Sequence, residues 1–185
     1  MNQRTKVEKQ KHIEIRVIAE LMKDSRRNDR DLARTVGVSQ PVIARTRKRL
    51  EEEGIIREYT MIPDFSRLGY QIMGVTFVRL SETPNVEKEG ELRKAVTELE
   101  RRDPHASIIA VNGEGMQKDR MFITFYREYA GFVRAMELLR HLPNLNVDSV
   151  ESFLVNLSDK RNYKILTFKQ VADDLLSLSE GKSHE

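Results

Sequence analysis

Apolar residues recur at helical spacing through the first third of the chain and alternate with polar ones through much of the rest. Ile13, Val17, Ile18 and Leu21 form one stripe and predict a first helix over about His12 to Met22. Leu32, Ala33 and Val36 form a second stripe. Val42, Thr46 and Leu50, with Ile43 beside them, form a third. Start and stop signals stand between the last two: Asn28 before Asp29 and Asp31, Gly37 directly after Val36, then Ser39 with Pro41 close behind. A side-chain oxygen on Asn28 or Ser39 suits a free first-turn amide, and early carboxylates suit the positive end of the helix dipole. Gly37 admits left-handed backbone, and Pro41 loses little where no N–H is bonded. The pattern predicts two helices, from Asn28 to Val36 and from about Gln40 to Glu53, with a tight turn between them. That is a helix-turn-helix.

After Gly54, Ile55 to Ile62 has β character and stops at Pro63-Asp64, which predicts a wing. Beyond Gly69-Tyr70 the element types alternate. Gln71 to Leu80 reads as a strand, and Val86 to Arg101 as a helix with Leu92, Val96 and Leu99 on one side. His105 to Val111 and Arg120 to Tyr126 read as a hairpin turning at Gly113-Glu114-Gly115. Phe132, Val133, Met136 and Leu139 mark a helix that ends before Pro143, and Val147 to Leu157 is a last strand. The order β-α-β-β-α-β predicts a ferredoxin-like domain, a four-stranded antiparallel sheet with two helices on one face. The fold class is therefore α+β: a winged helix-turn-helix over residues 1–62, a hinge over 63–70, a ferredoxin-like domain over 71–158 and a tail over 159–185. In the tail, Val171, Leu175, Leu176 and Leu178 predict a short amphipathic helix. The bare face of such a sheet suits a second copy of the chain, so a homodimer or higher homo-oligomer is expected.

Composition narrows the function classes. With 185 residues the chain buries one substantial core or two small ones, and the absence of Cys removes disulfides, thiolate metal sites and Cys nucleophiles. There is no apolar run long enough for a bilayer and no signal-peptide pattern, so a cytoplasmic protein without a membrane partner is expected. His12, His105, His141 and His184 lack metal-ligand spacing, and there is no phosphate-loop motif or Ser/His/Asp order. No metal, cofactor or catalytic residue is expected. The net charge of +3 is unevenly spread: residues 1–60 hold 15 Lys and Arg against 10 Asp and Glu, and the remainder holds 17 against 19. A basic first third fits contact with phosphate by that part alone.

The candidate chemistry lies on the side of the second predicted helix away from its stripe: Gln40, Ala44, Arg45, Arg47 and Lys48. Four basic residues and no acidic one fall between Ser39 and Leu50. Such a helix fits the DNA major groove. Arg45 has two readings, a bidentate reader of guanine or a phosphate contact or structural ion pair with Glu51 or a neighbouring acid. Arg57 in the predicted wing is placed to reach the DNA backbone. The Glu51-Glu52-Glu53 run puts negative charge at the unfavourable helix end, with solvation or ion pairs to nearby Arg as its only local account.

The segment DLARTVGVS, followed by Val42, Arg45, Leu50-Glu51, Gly54-Ile55-Ile56, Tyr59, Asp64 and Leu68-Gly69, resembles the Lrp/AsnC (feast/famine) family of bacteria and archaea. Over residues 71–157 the likeness rests on element order and Gly113. The resemblance implies a transcription regulator, with double-stranded DNA bound by the winged helix and dimerisation and binding of an amino acid or related effector by the second domain. It implies that Ser39 caps the recognition helix, that Gln40, Pro41, Ala44, Arg45 and Lys48 face the groove, and that Arg47 lies nearer the phosphates. The effector pocket of the family falls near Gly113, with Asp119 and Arg120 as the charged candidates; an exposed turn is the plainer reading of that pair. Thr46 replaces a usual aliphatic residue, the NGEGMQKDR segment is longer than the family turn, and the tail is longer than in the simplest members. An enzyme on the same frame, of the siroheme decarboxylase kind, would use His105, His141 and Arg140, but nothing in the sequence groups them. A third reading is an effector-binding partner without DNA contact.

Overall fold

The computed structural model describes residues 3–82, 89–91, 93–94, 97, 101, 106–141, 146–162 and 166–179. The chain forms two compact units: residues 1–62 with 164–185, and residues 63–163.

In the first unit, α1 (Gln3–Lys23), α2 (Asp29–Val36) and α3 (Gln40–Glu52) enclose a core of Val17, Leu21, Leu32, Val36, Ile43 and Leu50. Helix α1 begins well before His12, because residues 3–11 are mostly helix-favouring Gln, Arg, Lys and Glu without Gly or Pro, and apolar periodicity marks only the part that faces a core. Asn28 Oδ1 accepts the Asp31 amide at 2.9 Å, and Gly37 closes α2 in the left-handed region at φ 79°. Arg16 of α1 donates to the Thr35 and Val36 carbonyls at 2.8 and 3.0 Å, a cation on the negative end of α2. Ser39 begins α3 in extended backbone, but its side chain makes no cap bond. Pro41 removes one of the two amides such a side chain uses, and Val42, the other, donates to the Ser39 carbonyl at 3.0 Å.

The β segment expected over Ile55 to Ile62 is not a strand; residues 57–64 run irregularly and pair with none. Side chains hold this connector instead. Ser25 Oγ donates to the Thr60 carbonyl at 3.0 Å, Tyr59 OH donates to Glu51 at 2.6 Å, and Ile56 packs on the helical core. The predicted tail helix is α5 (Lys169–Ser179), and it lies against α1 with Ala172 fully buried and Lys23 2.8 Å from Asp173.

The second unit is a four-stranded antiparallel sheet ordered β2-β3-β1-β4, built from β1 (Ile72–Leu80), β2 (Ala106–Gly115), β3 (Lys118–Tyr126) and β4 (Val147–Asn156). With helix α4 (Tyr129–Arg140) between β3 and β4, this is the ferredoxin-like strand order. Residues 89–91, 93–94, 97 and 101 are helical, and the rest of the helix expected over Val86 to Arg101 lies outside the described residues, as does His105. One sheet face meets α4 through Ile72, Val150, Phe132, Ala135, Met136 and Leu139. On that face the two buried threonine hydroxyls find serine partners across strands, Thr76 with Ser152 at 2.9 Å and Thr124 with Ser107 at 3.0 Å. The residues expected to form a hinge are fastened within this unit. Phe65 stacks on Phe125 with centroids 3.9 Å apart, and Arg127 donates to the Leu68 carbonyl at 3.0 Å.

The β2–β3 hairpin turns at Met116-Gln117, not at Gly113-Glu114-Gly115, and both turn residues have positive φ, 49° and 57°. The strands extend past the glycines, so the two-residue turn takes the conformation that matches strand twist and favours Asn-Gly. Left-handed backbone costs an ordinary L-residue about 1–2 kcal/mol. Replacing Met116 by Asn and Gln117 by Gly should raise unfolding stability by about 1–2 kcal/mol, read from denaturant midpoints at unchanged slope.

Candidate nucleic-acid interface

Burial of Ile43, Thr46 and Leu50 fixes which side of α3 faces outward. Ser39, Gln40, Pro41, Ala44, Arg45 and Lys48 are all exposed on it. The Arg45 guanidinium touches only the Pro41 carbonyl of its own helix, at 3.3 Å, and pairs with no carboxylate among the described residues. Glu51, the candidate partner from sequence, is taken by Tyr59, whose hydroxyl is pushed up to about 12 by desolvation and by its bond to Glu51. Lys48 lies 3.7 Å from Glu52, an exposed pair that holds it weakly. Arg57 is exposed on the connector, with no ion pair among the described residues.

The other two basic residues of α3 do different work. Arg47, expected nearer the phosphates, turns inward: it lies 2.5 Å from Asp29 and donates to the Arg27 carbonyl at 3.2 Å. Arg49 pairs with Glu14 of α1 and sits 3.7 Å from Glu53. So Arg45 and Lys48 point out, while Arg47 and Arg49 tie α3 to α2 and α1. The sequence shows Asp29 as a dipole residue and hides its role as Arg47's anchor, because that contact spans two helices. Arg30 and Arg34, absent from the sequence-based set, add exposed cations on α2, with Arg34 3.9 Å from Asp31. The Glu51-Glu52-Glu53 run is accounted for: the three carboxylates meet Tyr59, Lys48 and Arg49 in turn.

The charged candidates in the second unit form no open site. Gly113 is exposed within β2. Asp119 accepts the Leu80 amide at 2.9 Å. Arg120 grips Glu89 through two bonds of 3.0 and 2.8 Å and donates to Asn112 at 2.8 Å. Its bidentate edge, the feature that would hold a ligand carboxylate, is filled by this chain's own Glu89. Both Asp119 and Arg120 belong to β3 and are partly buried, so neither sits in an exposed turn. Among the described residues no group of His, Asp and Glu is arranged to hold a metal ion. His141, exposed, is engaged through Nδ1 with the Glu137 carbonyl at 2.7 Å.

These features define a helix-turn-helix with a basic outward helix, followed by a ferredoxin-like sheet. A winged helix-turn-helix DNA-binding family model matches residues 10–57. The leucine-responsive regulatory protein of Rhizobium meliloti is 37% identical over 68 residues, covering 37% of this chain and 44% of that protein. LrpC of Bacillus subtilis is 38% identical over 60 residues, covering 32% of this chain and 42% of that protein. An uncharacterized HTH-type transcriptional regulator of Pyrococcus abyssi is 31% identical over 93 residues, or 45% and 63% of the two chains. The chain thus matches about half the length of these relatives. The likeness of fold runs further. The crystal structure of PH0061, from Pyrococcus horikoshii, superimposes with a TM-score of 0.65 at 21% identity, covering 83% of this chain and 96% of that one. A Neisseria meningitidis transcriptional regulator, solved as an L-Met complex, gives 0.63 at 18% identity, covering 86% and 97%. Part of the chain is thus similar in sequence to Lrp-type transcription regulators, and the chain shares over most of its length the fold of the solved regulators.

Asp29→Ala leaves the half-buried Arg47 charge without its carboxylate. It should destabilise the helical unit by about 1–3 kcal/mol in chemical denaturation. The Arg120 guanidinium holds the Glu89 carboxyl below its usual range, chiefly by hydrogen bonding. A depressed carboxylate contributes stability above its unfolded pKa and loses it as pH falls through the folded one. Glu89→Gln should therefore lower the melting temperature at neutral pH and flatten its fall on acidification, as scanned by circular dichroism.

Proposed function

We propose that this chain is a sequence-specific transcription regulator that binds double-stranded DNA as a homodimer. The observation that carries the reading is the outward face of α3, where Arg45 stands exposed and uncommitted beside Gln40, Ala44 and Lys48. Arg45 is the direct base reader, its planar fork suiting guanine O6 and N7. Gln40 reads adenine or a phosphate, Ala44 gives the groove wall apolar contact, and Ser39, Pro41 and Lys48 approach the backbone. Arg57 is a further phosphate contact, and Arg47 acts as a positioning residue that holds α3 on α2.

Dimerisation is supported by the sheet face away from α4. Strand register aligns Phe153, Val75, Ile123 and Ile109 across all four strands, an unbroken apolar row. Phe153 is 68% exposed. A second copy covering this row gives the assembly two recognition helices, and the site is then a rough palindrome with half-sites near whole helical turns apart. The L-Met complex of the Neisseria relative raises an amino-acid effector for this chain as well. With Arg120 saturated by Glu89, we place none at Gly113, Asp119 and Arg120. No helix among the described residues is long and apolar enough to cross a membrane, and DNA as partner fits the cytoplasm.

Selection from a random duplex pool should enrich a palindromic site, with affinity falling steeply as salt rises. Arg45→Ala should weaken binding to that site by about 10- to 100-fold while leaving the melting temperature unchanged. Equal binding to selected and random duplexes, or full affinity in Arg45→Ala, sinks the reading.

A further inference from the structure

Both sequence ends of the sheet unit run into one compact body, since residues 1–62 and 164–185 pack together and residues 63–163 lie between them in the chain. Helix α5 closes this arrangement. Ala172 has no exposed surface, and Leu175 and Leu176 are half-buried. On α1, Ala19 is also fully buried, yet it stands outside the cluster that forms the helix-turn-helix core. It lies one turn before Lys23, whose ammonium reaches Asp173 at 2.8 Å. Small side chains on both helices admit close approach. The apolar contact carries the docking, because an ion pair this exposed holds little by itself.

On the sheet side, Leu157 is buried and its amide donates to the Gln71 carbonyl at 2.9 Å. On the helical side, the Phe168 carbonyl accepts the Ala172 amide at 3.0 Å. Residues 158–167 connect these fixed points and span at most about 35 Å when extended. A body joined by one linker swivels about it, whereas a second short linker removes much of that freedom and raises the effective concentration of one geometry.

We propose that α5 is a second tether on the DNA-binding unit, making the protein selective for the spacing between half-sites. The proposal rests on the reading of the chain as a dimeric DNA-binding regulator, and adds a determinant that lies far from α3 in sequence.

The test uses the full chain and the site recovered by selection, rebuilt with its half-sites moved apart by half a turn, about 5 bp, and by a full turn, together with a single half-site. One variant carries about 12 Gly and Ser residues inserted directly after Asn162, which slackens the tether and leaves α5 docked. A second, Ala172→Arg, detaches α5, as checked by faster amide exchange over residues 169–179. Wild type should lose more than about 10-fold in affinity at the half-turn displacement, and both variants less than about 3-fold. All three should bind the single half-site within about 2-fold of one another. Spacing discrimination in the insertion variant as sharp as in wild type overturns the proposal, as does a wild type indifferent to spacing. Failure of wild type to bind the half-site or the full site overturns the regulator reading itself.

Discussion

The burial of one face of α3 is the constraint from which the rest follows. Ile43 and Leu50 are sealed against Val17 and Leu21 of α1 and Leu32 and Val36 of α2. Each such side chain contributes about 1.5–3 kcal/mol by leaving water. A helix has only one such face to bury, so sealing it also decides which residues stand outside. Arg45 and Lys48 are outward because Ile43, Thr46 and Leu50 are inward. The helix cannot rotate to hide the cations without exposing the core. The buried face is thus what fixes which side chains the helix presents outward.

Four basic side chains on one helix then divide into two pairs by what lies within reach. Arg47 and Arg49 find carboxylates on neighbouring helices, Asp29 and Glu14, and become part of the frame. Arg45 meets only a carbonyl of its own helix, and Lys48 meets Glu52 in an exposed pair along the same helix. Composition counts all four alike. Only the tertiary arrangement separates charges that hold the helix from charges available to a ligand.

Legibility in the sequence follows the range of the interactions. The Asn28 cap, the Gly37 stop and the three apolar stripes are local, and each appears where its residue type demands. The strand order of the second unit was legible because alternation and turn residues mark it. The hairpin turn was not: Gly113 and Gly115 attract the eye, but ladder register places the turn at Met116-Gln117. The wing strand failed because β-favouring residues from Ile55 to Ile62 find side chains in place of a partner strand. The pairings of Arg47, Arg49 and Arg120 were not legible, for one reason. Their partners, Asp29, Glu14 and Glu89, are distant in sequence, and a charge run does not announce its partner. The docking of α5 on α1 belongs to the same class.

That docking also bears on the order in which the chain takes shape as it is made. Helix α5 is synthesised after all of β1 to β4, so a growing chain displays α1 to α3 long before their fourth helix exists. Until then Ala19 and its neighbours on α1 face water, and the contacts that complete the body span most of the polypeptide. Closing so large a loop is slow in an open chain. In the folded chain the intervening segment brings its own two ends near, because β1 and β4 are adjacent in the sheet. A sheet unit that forms ahead of the helical body replaces that long loop by two ends already close together.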